Sequence, residues 1–148
     1  MALAVVEIGV EETYDLRRRV LRDGTESDVV EFDGDRLETT FHLGVRDDDD
    51  VPVAISTWME RPYPDRPADR GYQLRGMATS PERRNTGLAT ALLAAGLAVC
   101  RSRDVVVVWA RARDTALTFY RHHGFELAGI GYVDLTTGLP HHDVIRPL

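Results

Sequence analysis

The chain contains no lysine; its 18 strongly basic residues are all arginines. That absence excludes Schiff-base chemistry and the lysine contact of a Walker phosphate loop. Cysteine is nearly missing as well. Cys100 stands alone, so neither an intrachain disulfide nor a multi-cysteine zinc or iron–sulfur site can form, which fits a reducing, intracellular setting. Long apolar runs are lacking too: Ala89–Cys100 and Val105–Ala110 fall far short of the roughly 20 residues a membrane helix needs. The start, MALAVVEIGVEE, has no basic region and meets Glu7 early, so it reads as a first strand and not a signal peptide. Positive charge is in deficit, with 24 acidic residues against 18 arginines leaving −6 at pH 7. A non-specific grip on nucleic-acid phosphate is therefore not expected, and steering leans towards a cationic partner. The expectation is a cytoplasmic protein that binds neither membrane nor nucleic acid.

What is present is ordinary globular material, 43% hydrophobic and 28% charged over 148 residues, which suits a single domain over 1–148. Ala4–Ile8 reads as a strand and Val10–Arg22 as a surface helix stopped at Asp23–Gly24. Thr25–Leu37 is acidic loop with a short strand allowed at Val29–Phe32. Thr39–Val45 and Val51–Glu60 form a hairpin around Asp47–Asp50, a solvated turn that lacks the spacing and glycine of a calcium loop. A proline-rich loop, Arg61–Arg70, leads to a strand at Tyr72–Thr79. An apolar helix follows from about Gly87 to Arg101, buried on most sides. Asp104–Ala110 carries VVVVWA, the mark of a strand covered on both faces. A helix from Asp114 to Arg121 and two final strands, Phe125–Val133 and Val144–Leu148, complete a mixed sheet with helices on its faces.

The chemistry concentrates in LRGMATSPERRNTGLATALL, Leu74–Leu93. A strand ends, a short polar loop follows, and a buried helix starts at a glycine. The first N–H groups of a helix have no partner within it, and the macrodipole adds partial positive charge there. Such a start seats a pyrophosphate, with Arg83 and Arg84 as full charges beside it. Gly87 lets the backbone approach without a Cβ, and Asn85 tolerates a left-handed conformation. Solvated arginines ahead of a helix remain the plain alternative on spacing alone. No GxxxxGK[ST] or GxGxxG follows a strand, and Gly129–Ile130–Gly131 reads as a bulge or close packing.

Arg84–Ala89, RNTGLA, fits R/Q-x-x-G-x-G/A, and Ala116-x-x-Phe119-Tyr120-x-x-x-Gly124-Phe125 fits A-x-x-F-Y-x-x-x-G-F. Both motifs, in this order around the VVVVWA strand, resemble the GCN5-related N-acetyltransferases (GNAT). LRRRVL, Glu31-x-Asp33-x-Asp35, His42 and Gly138-x-Pro140-His141 resemble a small bacterial subgroup of that family. The resemblance implies an α/β (α+β) fold: a mixed, mostly antiparallel central sheet flanked by helices, its fourth and fifth strands splayed. It implies acetyl-CoA as cosubstrate, with the backbone of Met77 and Thr79 pairing with the pantetheine arm. Backbone amides of Arg84, Asn85, Thr86, Gly87, Leu88, Ala89 and Thr90 would hold the pyrophosphate, and Arg113 would approach the adenine or pantetheine edge. The subgroup often has Asn-Ala-Arg after its fifth strand, where this chain has Arg111-Ala112-Arg113.

Amine acetylation needs a neutral amine, a polarised thioester carbonyl and a proton for the leaving thiolate. Tyr120 is the expected acid or hydrogen-bond donor to the sulfur, and an N–H of Met77 or Ala78 would polarise the carbonyl. No base stands out among Glu60, His42, His141 and Asp134, and water is an alternative to all four. Cys100 reads as a packed thiol. The pairs His122–His123 and His141–His142 lack metal-ligand spacing, so no metal is expected. The reading is an acyl-CoA-dependent N-acyltransferase, monomer or homodimer, that acetylates a small-molecule or peptide amine by direct attack in a ternary complex. A non-catalytic acyl-CoA sensor or regulatory module, or a partner protein with a dead site, are the alternatives.

Overall fold

The β-branched run after Asp104 forms the middle of the sheet. In the computed structural model, which describes residues 4–148, seven strands are ordered β1-β2-β3-β4-β5-β7-β6. They are β1 (Val5–Glu7), β2 (Phe41–Arg46), β3 (Pro52–Glu60), β4 (Gly71–Thr79), β5 (Val107–Arg113), β6 (Glu126–Val133) and β7 (Pro140–Pro147). Every neighbouring pair is antiparallel except β4–β5. Met1–Leu3, the opening of the stretch read as the first strand, lie outside the described residues. The mixed, mostly antiparallel architecture expected from the resemblance is present.

Helix α2 (Leu88–Ser102) is the crossover between the parallel strands. It buries Leu92, Leu93, Leu97 and Cys100 against Trp58, Tyr72, Val108 and Ala110. Gly96 makes this approach feasible: a Cβ there would lie 1.9 Å from Trp58 Cζ2. The short α3 (Leu117–His122) adds Tyr120 to the same core. The opposite face carries α1, a continuous helical segment of a 3₁₀ turn (Val10–Thr13), an α turn (Tyr14–Leu16) and a wider π turn (Arg17–Leu21). Leu16 there packs with Ile8, Ile55 and Ala78.

No strand forms at Val29–Phe32. That stretch is instead tied down by Arg17, fully buried, which donates to Val30 O at 2.8 Å and bidentately to Asp35 at 2.7 and 2.9 Å. Arg17 also donates to Thr57 Oγ1, which bonds His42 Nδ1 at 2.8 Å, while His42 Nε2 meets the Asp35 carbonyl at 3.0 Å. Arg17 of LRRRVL, Asp35 of Glu31-x-Asp33-x-Asp35 and His42 thus meet in one buried polar network, while Glu31 and Asp33 are exposed and Glu31 accepts the Tyr14 hydroxyl. At the other end of the chain, β5 starts three residues later than read and runs on through Arg113. β7 starts four residues earlier than read because Pro140–Asp143 pair with β6 and β5. The Gly129–Gly131 segment is a bulge, with Gly129 at φ 75° and the His142 ring filling the space beside Gly131.

Candidate active site

Strands β4 and β5 pair only at Gly71–Gln73 with Val107–Trp109, then part, and β5 continues along β7 instead. On its other edge β4 carries a bulge: Ile55 faces Ala78 and Thr57 faces Arg75, so Gly76 and Met77 together oppose Ser56. Gly76 sits at φ 58°, and a Cβ on it would be 2.9 Å from the Phe32 ring. Glycine therefore serves both the left-handed turn of the bulge and its contact with Phe32.

Beyond the bulge the chain turns into α2 through two left-handed residues, Asn85 at φ 63° and Gly87 at φ 85°. The first intrahelical bond is Ala91 N to Gly87 O at 3.0 Å, so the N–H groups of Leu88, Ala89 and Thr90 have no helical partner. These residues wall a cavity of about 510 Å³. Met77, Ala78, Thr79, Arg84, Asn85, Gly87, Leu88, Ala89, Thr90 and Arg113 all line it. Thr86 does not; its hydroxyl turns back to the Arg83 carbonyl. Val20 and Leu21 of α1, Arg83, Ala116 and Phe119 complete the wall.

A second cavity of about 260 Å³ opens on the α1 face of the sheet. Leu21, Met77, Arg113, Ala116 and Tyr120 line both, so the two spaces share a wall at the parting of β4 and β5. Tyr120 is buried, packed edge-on against Phe119 and Phe125 at centroid distances of 5.5 and 5.2 Å. Burial pushes its phenol up to about 12, so it holds its proton across the physiological range.

Arg22, Phe32, Arg75, Arg111 and Thr137 line the second cavity and were not read from sequence as site residues. A signal for two of them exists: arginine at alternate positions of a strand otherwise buried on both faces. Gln73 and Arg75 share one face of β4, and Trp109, Arg111 and Arg113 one face of β5. Burial, with repulsion from Arg61 and Arg111, brings Arg75 down to about 10. Burial also lowers Arg113, which donates to the Leu21 carbonyl.

The candidate bases separate cleanly. His42 belongs to the buried Arg17 network and Glu60 pairs with Arg70 at 3.4 Å; neither lines a cavity. Asp134 and His141 do line the second. Asp134 Oδ1 accepts the N–H groups of Thr136 and Thr137 at 2.9 and 3.1 Å. His141 Nδ1 lies 2.9 Å from the Leu139 carbonyl. A carbonyl only accepts, so Nδ1 carries the proton and the neutral ring keeps its lone pair on Nε2. Cys100 is fully buried with its thiol pushed up to about 12 by burial, a packed side chain and no nucleophile. Among the described residues no cluster of three His, Cys, Asp or Glu could hold a metal ion, and no helix is long and apolar enough to cross a membrane.

Fourth and fifth strands that part near a bulge are what the resemblance implies for an N-acyltransferase that draws on coenzyme A, and here Tyr120 stands beside that parting. Residues 39–127 match the family model described as the acetyltransferase (GNAT) domain, and the chain belongs to that family. It is 30% identical over 136 residues to YitI of Bacillus subtilis (strain 168), an uncharacterized N-acetyltransferase, covering 87% of this chain and 91% of that one. Among solved structures, an acyl-CoA N-acyltransferase from Pseudomonas aeruginosa superimposes with TM-score 0.77 at 17% identity, over 98% of this chain and 99% of that one. An aminoglycoside 6'-N-acetyltransferase complexed with coenzyme A gives TM-score 0.74 at 13% identity, over 97% and 96%.

Proposed function

We propose that this chain transfers acetyl from acetyl-CoA to a primary amine by direct attack within a ternary complex. The observation that carries this reading is the shared wall: two cavities meet at Tyr120, Met77 and Arg113. The larger one has the features a nucleotide thioester needs. Its volume lies within the range of small-molecule sites, and its floor is the partnerless N–H groups at the head of α2 with Arg83 and Arg84 beside them. An aminoglycoside acetyltransferase of this fold is complexed with coenzyme A, which supports a coenzyme A site here. The β4 edge beyond Gln73 faces no strand, leaving backbone groups of Met77 and Thr79 free to pair with the pantetheine arm.

In this reading the amine enters through the second cavity and attacks the thioester carbonyl at the parting. The C–N bond forms, the C–S bond breaks, and the amine proton leaves to His141 Nε2 or to water. An N–H of Met77 or Ala78 polarises the carbonyl. An ordinary thiol titrates near 8.5, well below the Tyr120 phenol, so full proton transfer to the thiolate is uphill. Tyr120 acts as a hydrogen-bond donor to the departing sulfur. Thiol release from acetyl-CoA over a panel of amines tests the reading; acceptor-dependent release is expected. Binding of acetyl-CoA without release on any amine would favour the sensor alternative, and no binding would sink both.

A further inference from the structure

The second cavity gathers four guanidiniums, from Arg22, Arg75, Arg111 and Arg113. Among the described residues none of them makes an ion pair. Arg22 donates to the Val29 carbonyl and Arg113 to the Leu21 carbonyl, so backbone oxygens already occupy part of those two. Arg75 meets only the Met59 sulfur, at 3.9 Å, and stacks over Phe32 at 4.5 Å; Arg111 lies 5.8 Å from the Trp109 ring. The nearby carboxylates among the described residues form no ion pair with any of the four. Asp35 is held by Arg17, and Asp134 by its own turn. Asp143 faces Arg111 across the β5–β7 ladder, yet its oxygens take the hydroxyls of Tyr63 at 3.1 Å and Tyr132 at 2.6 Å.

A chain of net charge −6 has thus gathered unpaired arginines in one small concavity of its sheet, where they repel one another. Asp134, which lines the same cavity, attracts Arg22 and Arg113, and four guanidiniums against this one lining carboxylate leave the pocket net positive and suited to an anion. A solvated face does not account for Arg75, which is largely withdrawn from water although β4 has only β3 beside it there, whereas Arg111 is exposed.

Resting on the acyltransferase reading above, we propose that the acceptor is a small amine bearing a carboxylate, which Arg75 and Arg111 hold while the amine reaches the parting of β4 and β5. Planar guanidiniums match a carboxylate bidentately. The volume of about 260 Å³ accommodates a group of roughly amino-acid size. This is the opposite sign to the cationic acceptor that the net charge suggests. Net charge describes the whole field, whereas acceptor choice is made where the amine binds.

The test compares matched acceptors, free amino acids against their amides, in acetyl-CoA thiol release by the full chain and by Arg75→Gln and Arg111→Gln. The free acids are expected to show at least about tenfold higher kcat/KM, a preference that each variant reduces mainly through KM. Acetyl-CoA affinity by calorimetry should stay unchanged in both variants. Equal or better turnover of the amides by the unsubstituted chain overturns the proposal. A second readout needs no turnover: NMR titration with N-acetylalanine and N-acetylalaninamide, following the side-chain Nε–H signals of Arg75 and Arg111. Shifts with the carboxylate alone support the proposal even if every amine fails to release thiol, a result that would count only against the transfer reading. Identical responses to both compounds overturn it.

Discussion

At the scale of single residues, Gly87 separates binding from folding. Its φ of 85° is left-handed, and a Cβ built there meets nothing within 4 Å. Gly87→Val therefore leaves the core untouched and adds backbone strain of about 1–3 kcal/mol. It also projects a branched side chain into the space where the account seats the pyrophosphate. Acetyl-CoA affinity is expected to fall at least about tenfold, roughly 1.4 kcal/mol, in a protein that keeps its far-UV spectrum; unchanged affinity by calorimetry would remove the phosphate seat. Legibility also divides at this scale. The residues around Gly87 are contiguous in sequence, and a strand–loop–helix junction has a local signature. Arg22, Phe32, Arg75 and Arg111 come from three separated stretches that only the folded sheet brings together. His42 shows the converse: as a lone histidine it suggests a base, while its two hydrogen bonds make it part of the scaffold.

At the scale of elements, two joints hold the site. The first is α2 on the sheet. Alanine in place of a helical glycine ordinarily stabilises by about 1 kcal/mol, but at Gly96 the added carbon would overlap the Trp58 indole. Gly96→Ala is expected to lower stability by about 1–3 kcal/mol or more through overpacking, read as a lower urea midpoint; a raised midpoint would refute the close approach. The second joint is the Arg17–Asp35–Thr57–His42 network, which fixes residues 30–35 and with them Phe32. Burial raises the Asp35 carboxyl, yet hydrogen bonds from Arg17 and the Phe32 N–H outweigh it and hold the group below its usual range. Burial holds His42 below its usual 6.5. Both shifts favour the deprotonated form in the fold, so the unfolded chain binds more protons as pH falls. Stability is therefore complete above about 6.5, declines below it as unfolded His42 protonates, and declines again in the carboxyl range as Asp35 does. Urea midpoints against pH should show both limbs, the upper one smaller in His42→Asn, where His123, also held below its usual range by burial, still contributes. Asp35→Ala, which leaves Arg17 buried without its partner, should cost about 3–5 kcal/mol. This network was legible only as scattered matches to the subgroup, because pairing across 18 and 40 residues has no local periodicity.

At the scale of the whole molecule, one topological fact organises the rest. Among the described residues a single parallel pair within an otherwise antiparallel sheet parts after three residues, and both cavities lie beside that gap. The VVVVWA run and the spacing of the two motifs around it made this architecture legible, since both depend on residues near in sequence. The contents of the α1 face were not, since their arrangement depends on how α1 and the β6–β7 turn close over the sheet. Tyr120 stands at the gap, its ring held by Phe119 and Phe125 independently of the hydroxyl. Tyr120→Phe therefore removes the donor and keeps the wall. The deciding measurement is the single-turnover rate of acetyl transfer by Tyr120→Phe at saturating acetyl-CoA and a good amine acceptor. The expected rate is about 10²–10³-fold below that of the unsubstituted chain, the loss of one donor to a developing charge, at an acetyl-CoA affinity that does not change. An unaltered rate would contradict it, and Tyr120 would then be a packing residue only.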